Sequence, residues 1–160
     1  MPATLTPGAL RPWLLVLGGW LASPLPAVEA DLRIAEGTRP IEQSVWLKLD
    51  PTQESYEGRV TISLERTQVG RVIQFSGLDY SIDSASLSGA AECTLTAKMG
   101  GNGLVDASCK DELPVGRYEL EIAFHAPYNR KSVGLFKTLD QGEPYLFTQF
   151  EMTDARRAFP

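Results

Sequence analysis

The chain has 160 residues, 43% of them hydrophobic and 22% charged, with 15 Lys+Arg against 20 Asp+Glu for a formal net charge of −5. That composition specifies one folded domain of ordinary size and excludes global disorder, and its acidic balance leaves no basic stripe with which to neutralise the phosphates of a nucleic acid. The single histidine, His125, excludes a self-contained catalytic zinc site of two or three His ligands and any His–His acid–base pair.

In chain order, the first 30 residues stand apart. Arg11 precedes a ten-residue apolar run, 13–22, and the small and proline-rich exit Ser23-Pro24-Leu25-Pro26-Ala27-Val28-Glu29-Ala30 follows. A charged start, a short apolar core and a small-residue exit are the marks of a secretory signal peptide. The run is too short for a bilayer span, which takes about 20 apolar residues. Two internal glycines and two following prolines make it a poor buried helix. Cleavage is expected after Ala30, with Ala27 as the second choice, so residues 31–160 form the mature domain, exported to the periplasm or secreted. One charge of each sign leaves with the leader, Arg11 and Glu29, so the net charge stays at −5.

From Gln43 onward the apolar period is two, the spacing of half-buried strands in an antiparallel sheet. A weak strand is expected at 44–49. A strong one covers 59–65, with Val60, Ile62 and Leu64 facing inward. Weaker strands follow at 72–75, 80–87, 90–97 and 104–109, and a strong one at 117–125 with Tyr118, Leu120, Ile122 and Phe124 inward. Turn signals separate them: Asp50-Pro51, Ser76-Gly77, Gly100-Gly101-Asn102-Gly103 and Pro114-Val115-Gly116. No segment after the leader has a helical period. The expected fold is all-β, an antiparallel sandwich or saddle of short strands. His125 falls on the polar face with Glu119 and Glu121, which reads as a solvated face and not as a metal ligand or a two-carboxylate glycosidase pair. Signals for a P-loop or an α/β-hydrolase nucleophile are absent.

Cys93 and Cys109 are the only cysteines, each eight residues from Gly101. If 90–97 and 104–109 pair about that glycine turn, Cys93 lies opposite Cys109, Leu95 opposite Ala107 and Ala97 opposite Val105. Directly opposed cysteines in an exported protein predict a disulfide. No CxxC is present, so a redox-active role is not expected.

The end of the chain carries the most specific pattern. Thirteen consecutive residues, Thr148-Gln149-Phe150-Glu151-Met152-Thr153-Asp154-Ala155-Arg156-Arg157-Ala158-Phe159-Pro160, follow Gly134-Leu135-Phe136 at a distance. Upstream stand Leu47-Lys48-Leu49-Asp50-Pro51, Tyr56-Glu57-Gly58-Arg59-Val60-Thr61-Ile62 and Leu113-Pro114-Val115-Gly116-Arg117-Tyr118-Glu119-Leu120-Glu121-Ile122. Together these resemble the N-terminal β domain of the aminopeptidase-N-like (gluzincin) zinc metallopeptidases, over about 39–160. Val45 and Phe136 stand where that family usually has tyrosine. The resemblance implies a peptide substrate, met jointly with a catalytic domain. It further implies that Glu151 grips the substrate's free α-amine and that Gln149 lines the pocket for the first side chain. A desolvated carboxylate suits a terminal ammonium, which is mostly charged at neutral pH. The family's zinc ligands and general base are not among these 160 residues. Hence no cofactor is expected on this chain, zinc is expected in a catalytic domain beyond it, and the sequence reads as a piece of an exported zinc aminopeptidase. The alternative is a stand-alone noncatalytic β module that binds a peptide or protein partner through a sheet edge and the aromatics Tyr145, Phe147, Phe150 and Phe159.

Overall fold

The computed structural model describes residues 34, 36–101 and 103–160; the expected leader and its cleavage point lie outside the described residues. Among the described residues ten strands form three antiparallel sheets. The largest has the order β1-β2-β8-β4-β5, built from β1 (Thr38–Lys48), β2 (Ser55–Arg66), β8 (Gly116–Pro127), β4 (Ser81–Gly89) and β5 (Cys93–Thr94). The second has the order β3-β7-β6, from β3 (Gly70–Ser76), β7 (Leu104–Leu113) and β6 (Thr96–Met99). β9 (Gly134–Asp140) and β10 (Glu143–Gln149) make a separate hairpin, and a 3₁₀ turn, Asp154–Arg157, follows it. Among the described residues no helix is long and apolar enough to cross a membrane.

The expected alternation in β2 and β8 produces the core. Val60, Ile62 and Leu64 pair in register with Ile122, Leu120 and Tyr118, and all are buried. Ala85 and Leu87 of β4 continue this face, and Ile73, Phe75, Val105 and Ala107 of the smaller sheet close over it in one apolar cluster. Each large side chain so buried stabilises the fold by roughly 1.5–3 kcal/mol relative to exposure. Two corners are fixed by tyrosine hydroxyls that donate to the carbonyl four residues upstream: Tyr118 to Pro114 O at 2.9 Å and Tyr80 to Ser76 O at 3.1 Å. The core-end aromatics Tyr56, Tyr80 and Tyr128 gather near Phe124, with Tyr56 edge-on to it and stacked on Tyr128.

The segment 90–97 departs from the expected single strand. Cys93–Thr94 pairs with β4 in the large sheet, whereas Thr96–Met99 pairs with β7 in the small one. The hand-over falls at Leu95, which turns its side chain into the core and donates its N–H to Ala85 O at 2.9 Å. The β6–β7 register is therefore Ala97 opposite Ala107 and Met99 opposite Val105, two residues from the expected pairing. Burying Leu95 between the layers overrides hairpin symmetry. Cys93 and Cys109 are nonetheless bonded, with Cα atoms 6.1 Å apart. Their bridge joins β5 to β7, and so joins the two sheets, instead of crossing one hairpin.

Candidate functional site

The hairpin and the tail after it hold the residues singled out in the sequence. The reversal between β9 and β10 uses Gln141 (φ 52°) and Gly142 (φ 91°). Two left-handed central residues form a type I′ turn, whose twist matches that of the flanking strands. One hairpin face is pinned down. Leu135 is buried and Leu146 packs on the core. Lys137 donates to Gln53 O at 2.7 Å and to the Glu54 carboxylate, and its ammonium sits 5.9 Å from the centre of the Tyr128 ring. The hydrogen bond and charge of Lys137 hold the Glu54 carboxyl below its ordinary range. Backbone bonds from Asn129 N to Leu135 O (2.9 Å) and Lys137 N to Asn129 O (3.0 Å) complete the seam.

The opposite hairpin face is aromatic and open. Phe136 and Phe147 are cross-strand partners and stack at 5.9 Å. Tyr145 and Gln149 share their phase, because side chains two apart on a strand point the same way. Tyr145 is 47% exposed and Phe147 52%. Gln149 is the last residue of β10, opposite Gly134.

The tail from Thr153 to Pro160 is fastened to the sandwich along its length. Leu78 N donates to Arg156 O at 2.8 Å, Tyr56 Oη to Ala158 O at 2.8 Å, and Gln43 Nε2 to Pro160 O at 2.7 Å. Ala158 is fully buried, and Phe159 meets Phe150 edge-on at 5.8 Å. Arg157 donates through Nε to Asp154 Oδ1 at 2.9 Å and through Nη1 to Asp79; the Asp154 bond is the main cause that raises its pKa, burial opposes it, and Asp79 adds to the rise. Gly134, at φ 67°, passes beneath Arg157, where a Cβ would come within 2.9 Å of the arginine Cβ. Asp154 and Arg157 thus form a clamp between tail, hairpin base and Asp79.

Residues 149–153 bridge these two anchored parts, and all are exposed. The structure brings Gln149 and Glu151 into one short segment held at both ends. Glu151 offers only acceptor oxygens, whereas Gln149 offers both a donor and an acceptor. Neither is covered by the described residues.

His125 faces solvent, with Nδ1 2.7 Å from Asp83 Oδ1. Among the described residues no three His, Cys, Asp or Glu side chains gather as a metal site, and both cysteines are bridged. These residues do not fit a catalytic zinc.

The sequence pattern did not announce the hairpin or the anchors Gln43 and Tyr56. A signal for the hairpin existed in Asp140-Gln141-Gly142-Glu143 between alternating runs, but Gln-Gly is a weaker type I′ cue than Asn-Gly. Gln43 and Tyr56 act on carbonyls 117 and 102 residues away, which no local pattern reports.

A sequence model of the family described as Peptidase M1 N-terminal domain matches residues 39–160. The matched span runs from the second residue of β1 to the last residue of the anchored tail, and contains both sheets, the hairpin and the segment 149–153. The chain therefore belongs to the M1 peptidase N-terminal domain family, the β domain of aminopeptidase-N-like metallopeptidases.

Proposed function

We propose that this domain recognises the free amino end of peptide substrates in an exported zinc aminopeptidase, beside a catalytic domain that carries the zinc. Glu151 accepts hydrogen bonds from the substrate α-ammonium, and Gln149 lines the pocket for the first side chain. One observation carries the reading: Gln149–Thr153 is exposed yet fastened on both sides, by the hairpin seam and by the clamped tail. A segment that must present a carboxylate to a second surface gains from such preorganisation, since little ordering is left to accompany binding. The open aromatic face of Phe136, Tyr145 and Phe147 supplies apolar area on which that surface can seat.

The test uses the enzyme comprising this domain and its catalytic partner. Glu151→Ala is expected to lower kcat/KM for free-amine substrates roughly 10–150-fold, the loss of one charged hydrogen-bond partner from a covered site. Glu151→Gln keeps an acceptor and is expected to lose less. Gln149→Ala is expected to change the preference among first-residue side chains. Unchanged cleavage by Glu151→Ala, with an N-acetylated peptide as the amine-free control, would refute the assignment.

The same aromatic face also suits a noncatalytic module that binds a peptide or protein partner. That reading expects Tyr145→Ser and Phe147→Ser to abolish partner binding while Glu151→Ala changes nothing.

A further inference from the structure

β2 carries one inward position that its pattern does not explain. After Val60, Ile62 and Leu64, the next residue in phase is Arg66, and it is only 4% exposed. Its Nη1 donates to Val72 O at 2.9 Å and lies 3.5 Å from Thr38 Oγ1. Its Nε is buried and finds no acceptor among the described residues. No carboxylate among them forms an ion pair with it, and the adjacent Glu65 is committed to Arg39 at 2.6 Å. A guanidinium stays charged at any ordinary pH, and a buried charge without a counter-charge is strongly disfavoured.

The fold leaves room beside it. Arg66 lines a cleft of about 250 Å³ with Glu36, Thr38, Gln68 and Arg71, at the point where the chain crosses from the large sheet to the small one. The β3–β7 register jumps between Gly70 and Val72, which takes Arg71 off the ladder. A Cβ at Gly70 would sit 3.1 Å from Arg66 Nη2, a tight contact with the guanidinium. Two guanidiniums, the amides of Gln68 and Gln74 and one hydroxyl line this cleft against one carboxylate, Glu36.

We propose that the cleft is a binding site for a small oxyanion, a carboxylate or a phosphate, for which Arg66 is the buried counter-charge. Guanidinium forks match both geometries by paired N–H donors. The site shares no lining residue with 149–153 and is independent of the aminopeptidase reading.

The experiment titrates the protein with sodium phosphate and, separately, sodium acetate, each against sodium chloride at equal ionic strength, following the thermal midpoint and the heat of binding. A saturable rise in midpoint with one of the two anions, absent with chloride, is expected, and which anion produces it identifies the ligand class. Arg66→Met is expected to weaken that binding by at least about tenfold and, without anion, to be no less stable than the parent, since a buried unpaired charge is replaced by an apolar stem. Arg71→Ala should weaken binding partly, and Glu36→Gln should tighten it. Should Arg66→Met fail to fold, the side-chain nitrogen resonances of Arg66 in the parent protein must shift with the anion. The proposal is overturned if neither anion gives a saturable effect, if Arg66→Met retains it, or if those resonances do not move.

Discussion

Tyr56 shows how one side chain joins core and site. Its ring is buried among Phe124 and Tyr128, and its hydroxyl holds the tail through Ala158 O. Tyr56→Phe keeps the ring but leaves that buried carbonyl unsatisfied, with an expected loss of about 1–3 kcal/mol in urea denaturation. Burial, and secondarily the neighbouring Tyr128, pushes the Tyr56 phenol far up; burial, and then Tyr56, does the same for Tyr80. The folded state thus favours the protonated phenols. This contribution is complete below the ordinary tyrosine value of about 10 and is lost as pH rises above it towards the raised folded values. Phenolate absorbance is expected to show these two tyrosines ionising only as the protein unfolds at alkaline pH; ionisation of all five tyrosines in the native state would contradict this. Gly58 is the complementary case, because it makes space instead of filling it. A Cβ there would lie 2.3 Å from Phe124 Cζ and 2.9 Å from Leu47 Cδ2. Phe124 is buried on all sides, so Gly58→Ala is expected to cost about 1–3 kcal/mol by overpacking, read from the shift in denaturation midpoint.

At the scale of elements, the β9–β10 hairpin depends on its seam. A two-stranded hairpin alone is marginal in water, and Leu135, Leu146 and Lys137 attach this one to the sandwich. Its turn needs left-handed backbone at Gly142, so Gly142→Ala is expected to destabilise by about 1 kcal/mol, with the loss seen first as faster amide exchange along β10. Tyr145 lies on the open face and contributes little to the fold. Tyr145→Ser is expected to leave stability within about 0.5 kcal/mol while lowering the fluorescence of a bound hydrophobic dye. Equal dye binding would show that this face is not the exposed apolar surface.

At the scale of the molecule, the two sheets are held by the shared core and by one covalent link. Without the disulfide, β5 is a two-residue edge strand with two paired positions. The bridge from Cys93 to Cys109 spans 16 residues and ties that edge to β7. For a loop of this size the chain-entropy model gives about 3 kcal/mol. Reduction is expected to lower stability by that order and to add two hydrogens to the intact mass. Two alkylatable thiols in native, unreduced protein would refute the bridge. A link of this kind persists in oxidising compartments, which suits the export proposed for the chain.

Period-two alternation is a local property, so the sequence by itself determined the all-β class, the inward rows of β2 and β8, and the family through an uninterrupted motif. Gln149 and Glu151 were legible as members of that motif. Their exposure and their fastening on both sides were not, because these depend on Lys137 reaching Gln53 and on Tyr56 reaching Ala158 across the fold. The same holds for the register about Gly101. Local symmetry favours one pairing, and burial of Leu95 between two layers imposes another. Arg66 is the clearest case: its inward phase could be read along β2, but only the tertiary structure decided that a cleft stands beside it and that no carboxylate among the described residues forms an ion pair with it. Strand pattern depends on neighbours two residues apart, whereas layer crossing, clamps and buried counter-charges depend on contacts whose partners lie far away in the chain.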